Sequence, residues 1–297
     1  MVSSSEITSR LQRVLLKVQK PGRYVGGEYN QIQKDWQTVH TKVALVFPEI
    51  YDIGLPNLGM SILYEWINRK ENALAERAYL PWKDMEAEMR TAGIPLYSLE
   101  SKHPLTAFDI IGFSIPYETL YTNVLNALDL ASIPFLSADR DESFPLIIAG
   151  GHSTFNPEPV AAFIDAFVLG DGEAVMDDIL TIWQMWKQSG EKKIQLLDRL
   201  AGLEGIYIPS FYDVEYSQAG QVTHFQTNRP SAPTRILKRF AMPLPPPVTR
   251  FLVPNIDTVH NRVAVEIMRG CSRGCRFCQA GHILRPVRER PVNEVVD

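Results

Sequence analysis

The residues best equipped for chemistry are Cys271, Cys275 and Cys278, the entire thiol complement of this 297-residue chain. They stand in the run Arg269-Gly270-Cys271-Ser272-Arg273-Gly274-Cys275-Arg276-Phe277-Cys278, a C-x3-C-x2-C spacing. Thiolates are soft ligands that favour iron–sulfur clusters, zinc or copper(I). A loop this short can wrap three corners of one cubane cluster, and Gly270 and Gly274 let its backbone bend. Three protein ligands leave the fourth iron open for reaction, whereas four cysteines serve electron transfer or structure. The competing metal reading is a zinc knuckle completed by His282. Zinc sites usually come as C-x2-C pairs with a second pair at a distance, and this sequence has no second pair. An odd, clustered set of thiols is not a disulfide framework.

Arg269, Arg273, Arg276, Arg285, Arg288 and Arg290 surround the motif. Functionally they could raise a cluster's potential or pair with an anionic group. The plainer expectation is a solvated basic face, or partners for acidic residues elsewhere.

Other elements must position this loop. Residues 262–267 alternate in a way that predicts a strand leading directly into the cysteines. Upstream, short apolar runs predict strands at 42–47, 73–80, 109–115, 146–151 and 166–170. Between them lie helical stripes: Leu58, Ile62 and Trp66; residues 81–92; Leu120, Val124, Leu128 and Ala131; and residues 174–187 with Val175, Ile179, Trp183 and Trp186 on one side. A further helix is predicted at 7–18. Strands alternating with helices mean βαβ units and a doubly wound parallel α/β sheet. Such a sheet binds ligands at the carboxyl ends of its strands, here the loops 48–56, 116–118, 150–156 and 170–173. Residues 206–216 and 222–226 read as strands around a turn, followed by a proline-rich stretch at 243–247. The implied organisation is an N-terminal segment (1–40), an α/β domain (41–200), a β connection and linker (201–255), and the start of a further domain (256–297), expected to be incomplete at Asp297.

C-x3-C-x-aromatic-C directly after a strand resembles the radical S-adenosylmethionine (SAM) superfamily. The resemblance implies that Cys271, Cys275 and Cys278 hold a [4Fe-4S] cluster whose open iron is chelated by SAM. Reductive cleavage of SAM then gives a 5′-deoxyadenosyl radical. Phe277 occupies the position near the SAM adenine, and the C-terminal segment becomes the truncated start of a partial (β/α) barrel. A doubly wound domain ahead of that motif is similar to the cobalamin-binding radical SAM class. The segments carrying this likeness are Ile148-Ala149-Gly150-Gly151-His152, Asn156-Pro157-Glu158-Pro159, Asp165 and Gly170-Asp171-Gly172-Glu173. Lys20-Pro21-Gly22-Arg23-Tyr24, Gly27-Glu28-Tyr29-Asn30, Asn57-Leu58-Gly59 and Cys278-Gln279-Ala280-Gly281 resemble one uncharacterised family. Its members are radical SAM proteins with an N-terminal B12-binding-like Rossmann domain, fused or adjacent to a DUF2344 protein.

The cobalamin pattern is incomplete. Where D-x-H-x-x-G would supply a cobalt-binding histidine, this chain reads Glu49-Ile50-Tyr51-Asp52-Ile53-Gly54, with Tyr51 in the histidine's place. Tyr51, Gly54, Ser114, Gly150 and Gly151 are the residues of a cobalamin-like site on this likeness. Either a corrin is held without a protein histidine or the domain has lost the cofactor. His152, in the loop after the glycine pair, could touch a ligand from there, or be a loop histidine bonded to backbone; Asp171 and Glu173 are expected to be helix-start residues favoured by the helix dipole rather than a catalytic carboxylate pair.

Hydrophobic residues make up 45% and charged residues 22%, the balance of a globular protein. A net charge of −4 gives nucleic-acid binding no support. The sequence shows neither a bilayer-spanning run nor a signal-peptide core, so the expectation is a cytoplasmic protein. The resemblance implies a flavodoxin- or ferredoxin-type reductant as partner. The reading from a different class is a non-catalytic module that binds a corrin or a protein, with the cysteines as a structural metal site.

Overall fold

A computed structural model describes residues 2–260 and 262–296. Helix α1 (Ser4–Val14) starts at a capping box, with Ser3 N–H donating to Glu6 Oε2 at 2.8 Å and Glu6 N–H to Ser3 Oγ at 3.3 Å. The α/β unit follows as β1 (Thr41–Phe47), α2 (Tyr51–Gly54), α3 (Leu58–Asn68), β2 (Ala73–Tyr79), α4 (Lys83–Ala92), β3 (Ile110–Ser114), α5 (Tyr121–Leu130), β4 (Leu146–Gly150), β5 (Ala166–Val168) and α6 (Gly172–Ser189). After it come α7 (Lys193–Ala201), β6 (Ile206–Tyr207), β7 (Tyr212–Tyr216), β8 (Val222–Thr227), β9 (Met268–Arg269), α8 (Ala280–Ile283), β10 (Arg288–Glu289) and α9 (Val292–Val296).

The main sheet has the order β2-β1-β3-β4-β5-β6, parallel except for β6, which runs antiparallel to β5. Its central strands are continuous apolar runs because both faces are covered. The chain leaves β1 toward β2 on one side, then crosses back to β3 on the other. Right-handed crossovers in opposite directions put the connecting helices on opposite faces. Accordingly α3 packs with α6, where Trp66 Nε1 donates to Asp177 at 2.8 Å. Helices α4 and α5 meet through Arg90–Asp129 at 2.7 Å.

Strand β2 lies at the sheet edge yet is buried along its length, including Glu76 and Arg77. The N-terminal segment and the turn after residue 98 cover it. Arg77 donates to Glu28 at 3.0 and 3.2 Å and to Glu100 at 2.6 Å, with all three side chains 1% exposed. An edge that would otherwise invite a second chain is thereby closed.

The five predicted strands and the helices between them appear where the sequence pattern puts them, with ends shifted by a residue or two; α1, at Ser4–Val14, starts and ends earlier than the predicted 7–18. Three features differ. The stretch 206–216 is not one strand. Pro209 lacks the N–H a ladder needs, so Ile206–Tyr207 joins the main sheet and Tyr212–Tyr216 pairs with Val222–Thr227 instead. Helix α7 was not expected. The predicted strand at 262–267 is absent: residues 263–267 have no regular structure, and Val263, Val265 and Ile267 are 65%, 52% and 58% exposed. The alternation suits a strand, but among the described residues the neighbouring chain reaches only its last residue, with Arg290 N–H donating to Ile267 O. Only Met268–Arg269 forms a ladder, antiparallel to Arg288–Glu289. Among the described residues no helix is long and apolar enough to cross a membrane.

Candidate functional site

The order β2-β1-β3 places the switch in winding direction between β1 and β3, where open α/β sheets bind ligands. A cavity of about 440 Å³ lies there. Its floor is built from alternate residues that share one sheet face: Gly112 and Ser114 of β3, Ile148 and Gly150 of β4, with Leu45 and Val168 on either side. Helices α3 and α6 supply one wall through Leu63, Met176 and Ile179. At Gly150 an added Cβ would meet only Val168 at 3.8 Å, so the missing side chain is open space in the floor.

The cysteine-bearing segment forms the roof. Met268, Arg269 and Gly270 precede the first cysteine; Ile283, Leu284 and Arg288 follow the last, and all six line the cavity. The β9–β10 ladder closes this loop at its base, with Arg290 N–H donating to Ile267 O at 2.9 Å. Gly270 has φ +86°, and a Cβ there would sit 2.6 Å from Pro286 O, so glycine is required at the turn into the cysteines. Helix α8, just after Cys278, packs on the turn His152–Phe155 that follows β4.

An ion-pair network staples roof to floor. Arg269 donates twice to Glu173, at 2.5 and 3.2 Å, and also to Glu266 at 2.7 Å. Asp171 lies 3.4 Å from Arg269, accepts from Ala241 N at 2.8 Å and pairs with Arg288. Arg290 pairs with Glu266. Burial works against the Arg269 charge, but hydrogen bonds to Glu173 and Glu266 outweigh it and raise its pKa further. Burial pushes Glu266 up, yet Arg269 and Arg290 hold it below the ordinary carboxylate range. The chain also threads past the end of β5, where Arg239 N donates to Leu169 O at 2.9 Å and Asp171 N to Arg239 O at 3.0 Å. Gly170 makes that approach possible: its φ is +120°, and a Cβ would lie 1.8 Å from Arg239 O. Lys238 Nζ donates to the carbonyls of Ile283, at 2.7 Å, and Arg285.

Cys271 and Cys278 are half-buried and Cys275 is exposed; none is in a disulfide. Gly281 N–H donates to Cys278 Sγ at 3.4 Å, the kind of bond that tunes a thiolate ligand. Among the described residues no group of three or more His, Cys, Asp or Glu side chains is placed to hold a metal ion. A tetrahedral zinc needs four donors around one point, and His282 is exposed rather than part of such a set. The donors on this accessible loop are three thiolates, the soft ligand type that iron–sulfur clusters and zinc both take.

Phe277 is 93% exposed. Ser114, Gly150 and Gly151 line the cavity, whereas Tyr51 and Gly54 do not. Tyr51 is 2% exposed, edge-on to Tyr79 at 5.5 Å, and its hydroxyl pKa is raised by burial and by Glu28. A Cβ on Gly54 would meet the same Tyr79 ring at 2.5 Å. His152 lines the cavity, and desolvation lowers its pKa. Arg269, Arg288 and Arg290 turn out to be partners of carboxylates, as the plainer expectation had it, while Arg273 and Arg276 are exposed. Asp171 and Glu173 do start α6, but no side-chain cap bond forms at Asp171, and both carboxylates face the arginines of the cysteine segment. Sequence spacing offered no signal for that role beyond Arg269 standing two residues before Cys271.

Residues 59–209, which hold five of the six sheet strands and most of the cavity floor, match the model of the family described as radical SAM proteins, N-terminal. The chain belongs to this family. The matched span ends well before Cys271, so the family match and the cysteine spacing rest on different residues. An uncharacterised protein of Methanocaldococcus jannaschii is 22% identical over 256 residues, 86% of this chain and 44% of that protein. The chain thus spans less than half the length of that relative. No solved structure matches it.

Proposed function

We propose that this chain is the N-terminal part of a radical SAM enzyme in which Cys271, Cys275 and Cys278 hold a [4Fe-4S] cluster. The observation that carries this reading is the C-x3-C-x2-C loop, stapled by Arg269 onto a sheet domain of the radical SAM N-terminal family. When bound, the cluster and SAM would supply one-electron cleavage of SAM to methionine and a 5′-deoxyadenosyl radical. The chain's own residues do the rest. The β9–β10 ladder and Gly270 fix where the loop emerges. Arg269 and Arg288 orient it against α6, and Ile283, Leu284 and Met268 cover part of the cavity. Phe277, Arg273 and Arg276 stay exposed on the loop's outer side. That side suits an adenine on Phe277 and an acidic flavodoxin- or ferredoxin-type donor beside the arginines. A continuing (β/α) barrel, a DUF2344 partner and a reducing cytoplasmic setting belong to the same proposal.

Anaerobic reconstitution with iron and sulfide tests it. The expected result is about four irons per chain, falling sharply in Cys271→Ser, Cys275→Ser and Cys278→Ser. One tightly held zinc, with no iron–sulfur absorbance, would instead support a partner-binding module with a structural metal.

A further inference from the structure

The cavity beneath the cysteine segment has a composition the proposed cluster chemistry does not use. Its volume of about 440 Å³ is that of a small-molecule site, and its floor and wall are mainly apolar. Three carboxylates and three cations also line it, but each is already engaged. Asp171 meets Arg269, Arg288 and the Ala241 amide. Glu173 meets Arg269, and Glu266 meets Arg269 and Arg290. Lys238 is bonded to two carbonyls. A cation would have to take a carboxylate from its arginine, and among the lining residues an anion would find only Lys238, whose ammonium is bonded to two carbonyls rather than to a carboxylate. Two lining groups have no hydrogen-bond partner among the described residues: the Ser114 hydroxyl on the floor and the His152 ring beside α8.

We propose that this cavity binds an uncharged, mainly apolar small molecule with a hydrogen-bonding group read by Ser114 and His152. None of Cys271, Cys275 and Cys278 lines the cavity, so the molecule is a ligand of the sheet domain beneath the cysteine segment. Gly112 and Gly150 are the specificity-determining positions, because their missing side chains make the room. A Cβ at Gly112 meets Leu45 and Ile148 at 3.6 and 3.7 Å, ordinary contact, so a larger residue would grow into the cavity rather than into the backbone.

The test uses two fluorescent probes of one skeleton on the full chain: neutral 1-N-phenylnaphthylamine and anionic 8-anilinonaphthalene-1-sulfonate. The neutral probe is expected to bind once per chain, about tenfold or more tighter than the sulfonate. Gly150→Leu and Gly112→Val should each weaken it by about tenfold or more while circular dichroism and melting temperature stay near wild type. If one variant fails to fold, the other carries the test. Equal affinity for both probes, undiminished binding in the folded variants, or displacement of the probe by hydroxocobalamin would overturn the proposal. Iron content after reconstitution is measured on the same samples. Probe binding without iron retention would sink the cluster reading alone, and iron retention without probe binding would sink the pocket alone.

Discussion

Arg269, two residues before the first cysteine, grips both carboxylate oxygens of Glu173 in the first turn of α6. The pair is 13% and 4% exposed, so removing Arg269 strands Glu173, whereas removing Glu173 leaves Arg269 with Glu266 and Asp171. Arg269→Ala should loosen the cysteine segment by about 3–5 kcal/mol, and Glu173→Ala by less. Arg269→Lys should recover only part of this, because an ammonium cannot form the two-point contact. Limited proteolysis reads the outcome: cleavage between 255 and 285 should accelerate in the alanine variants while the sheet domain survives.

Acid should release the same junction. Glu266 has a folded pKa below its unfolded value of about 4.3. A lowered carboxylate contributes stability that is complete above the unfolded value and lost as pH falls through the folded one. Melting temperature should therefore drop as pH goes below about 4.3, and Glu266→Gln should flatten part of that slope. An unchanged acid slope in the variant would count against the assignment.

The covered edge of β2 depends on Arg77. Arg77→Met leaves Glu28 and Glu100 facing each other without a cation, and unfolding in urea should show a loss of about 3–5 kcal/mol. Adding Glu28→Gln and Glu100→Gln should restore at least half of it, since the penalty lies in the unpaired charges.

Gly170→Ala should cost more than ~2 kcal/mol, because the backbone there is left-handed and Arg239 O occupies the space of the Cβ. The effect should appear both in thermal melting and as a weaker fluorescent-probe response, since the chain past β5 borders the cavity.

Much of this architecture was legible in the chain. Apolar runs at β1, β3 and β4 encode buried parallel strands, because a strand covered on both faces has no polar positions to spare. The cysteine spacing carries the proposed ligand loop by thiolate chemistry alone. Local pattern also misled: Val263, Val265 and Ile267 alternate as a strand should, yet a strand needs a neighbour, and periodicity does not say whether one is present. Tertiary structure decided what faces what. It turned Tyr51 into the packing around Arg77 and away from the cavity, and it brought Asp171 and Glu173 against Arg269, about a hundred residues away in sequence. Such pairings arise from the crossover connections of the sheet and from desolvated charges seeking partners. No short window of sequence contains both halves of either.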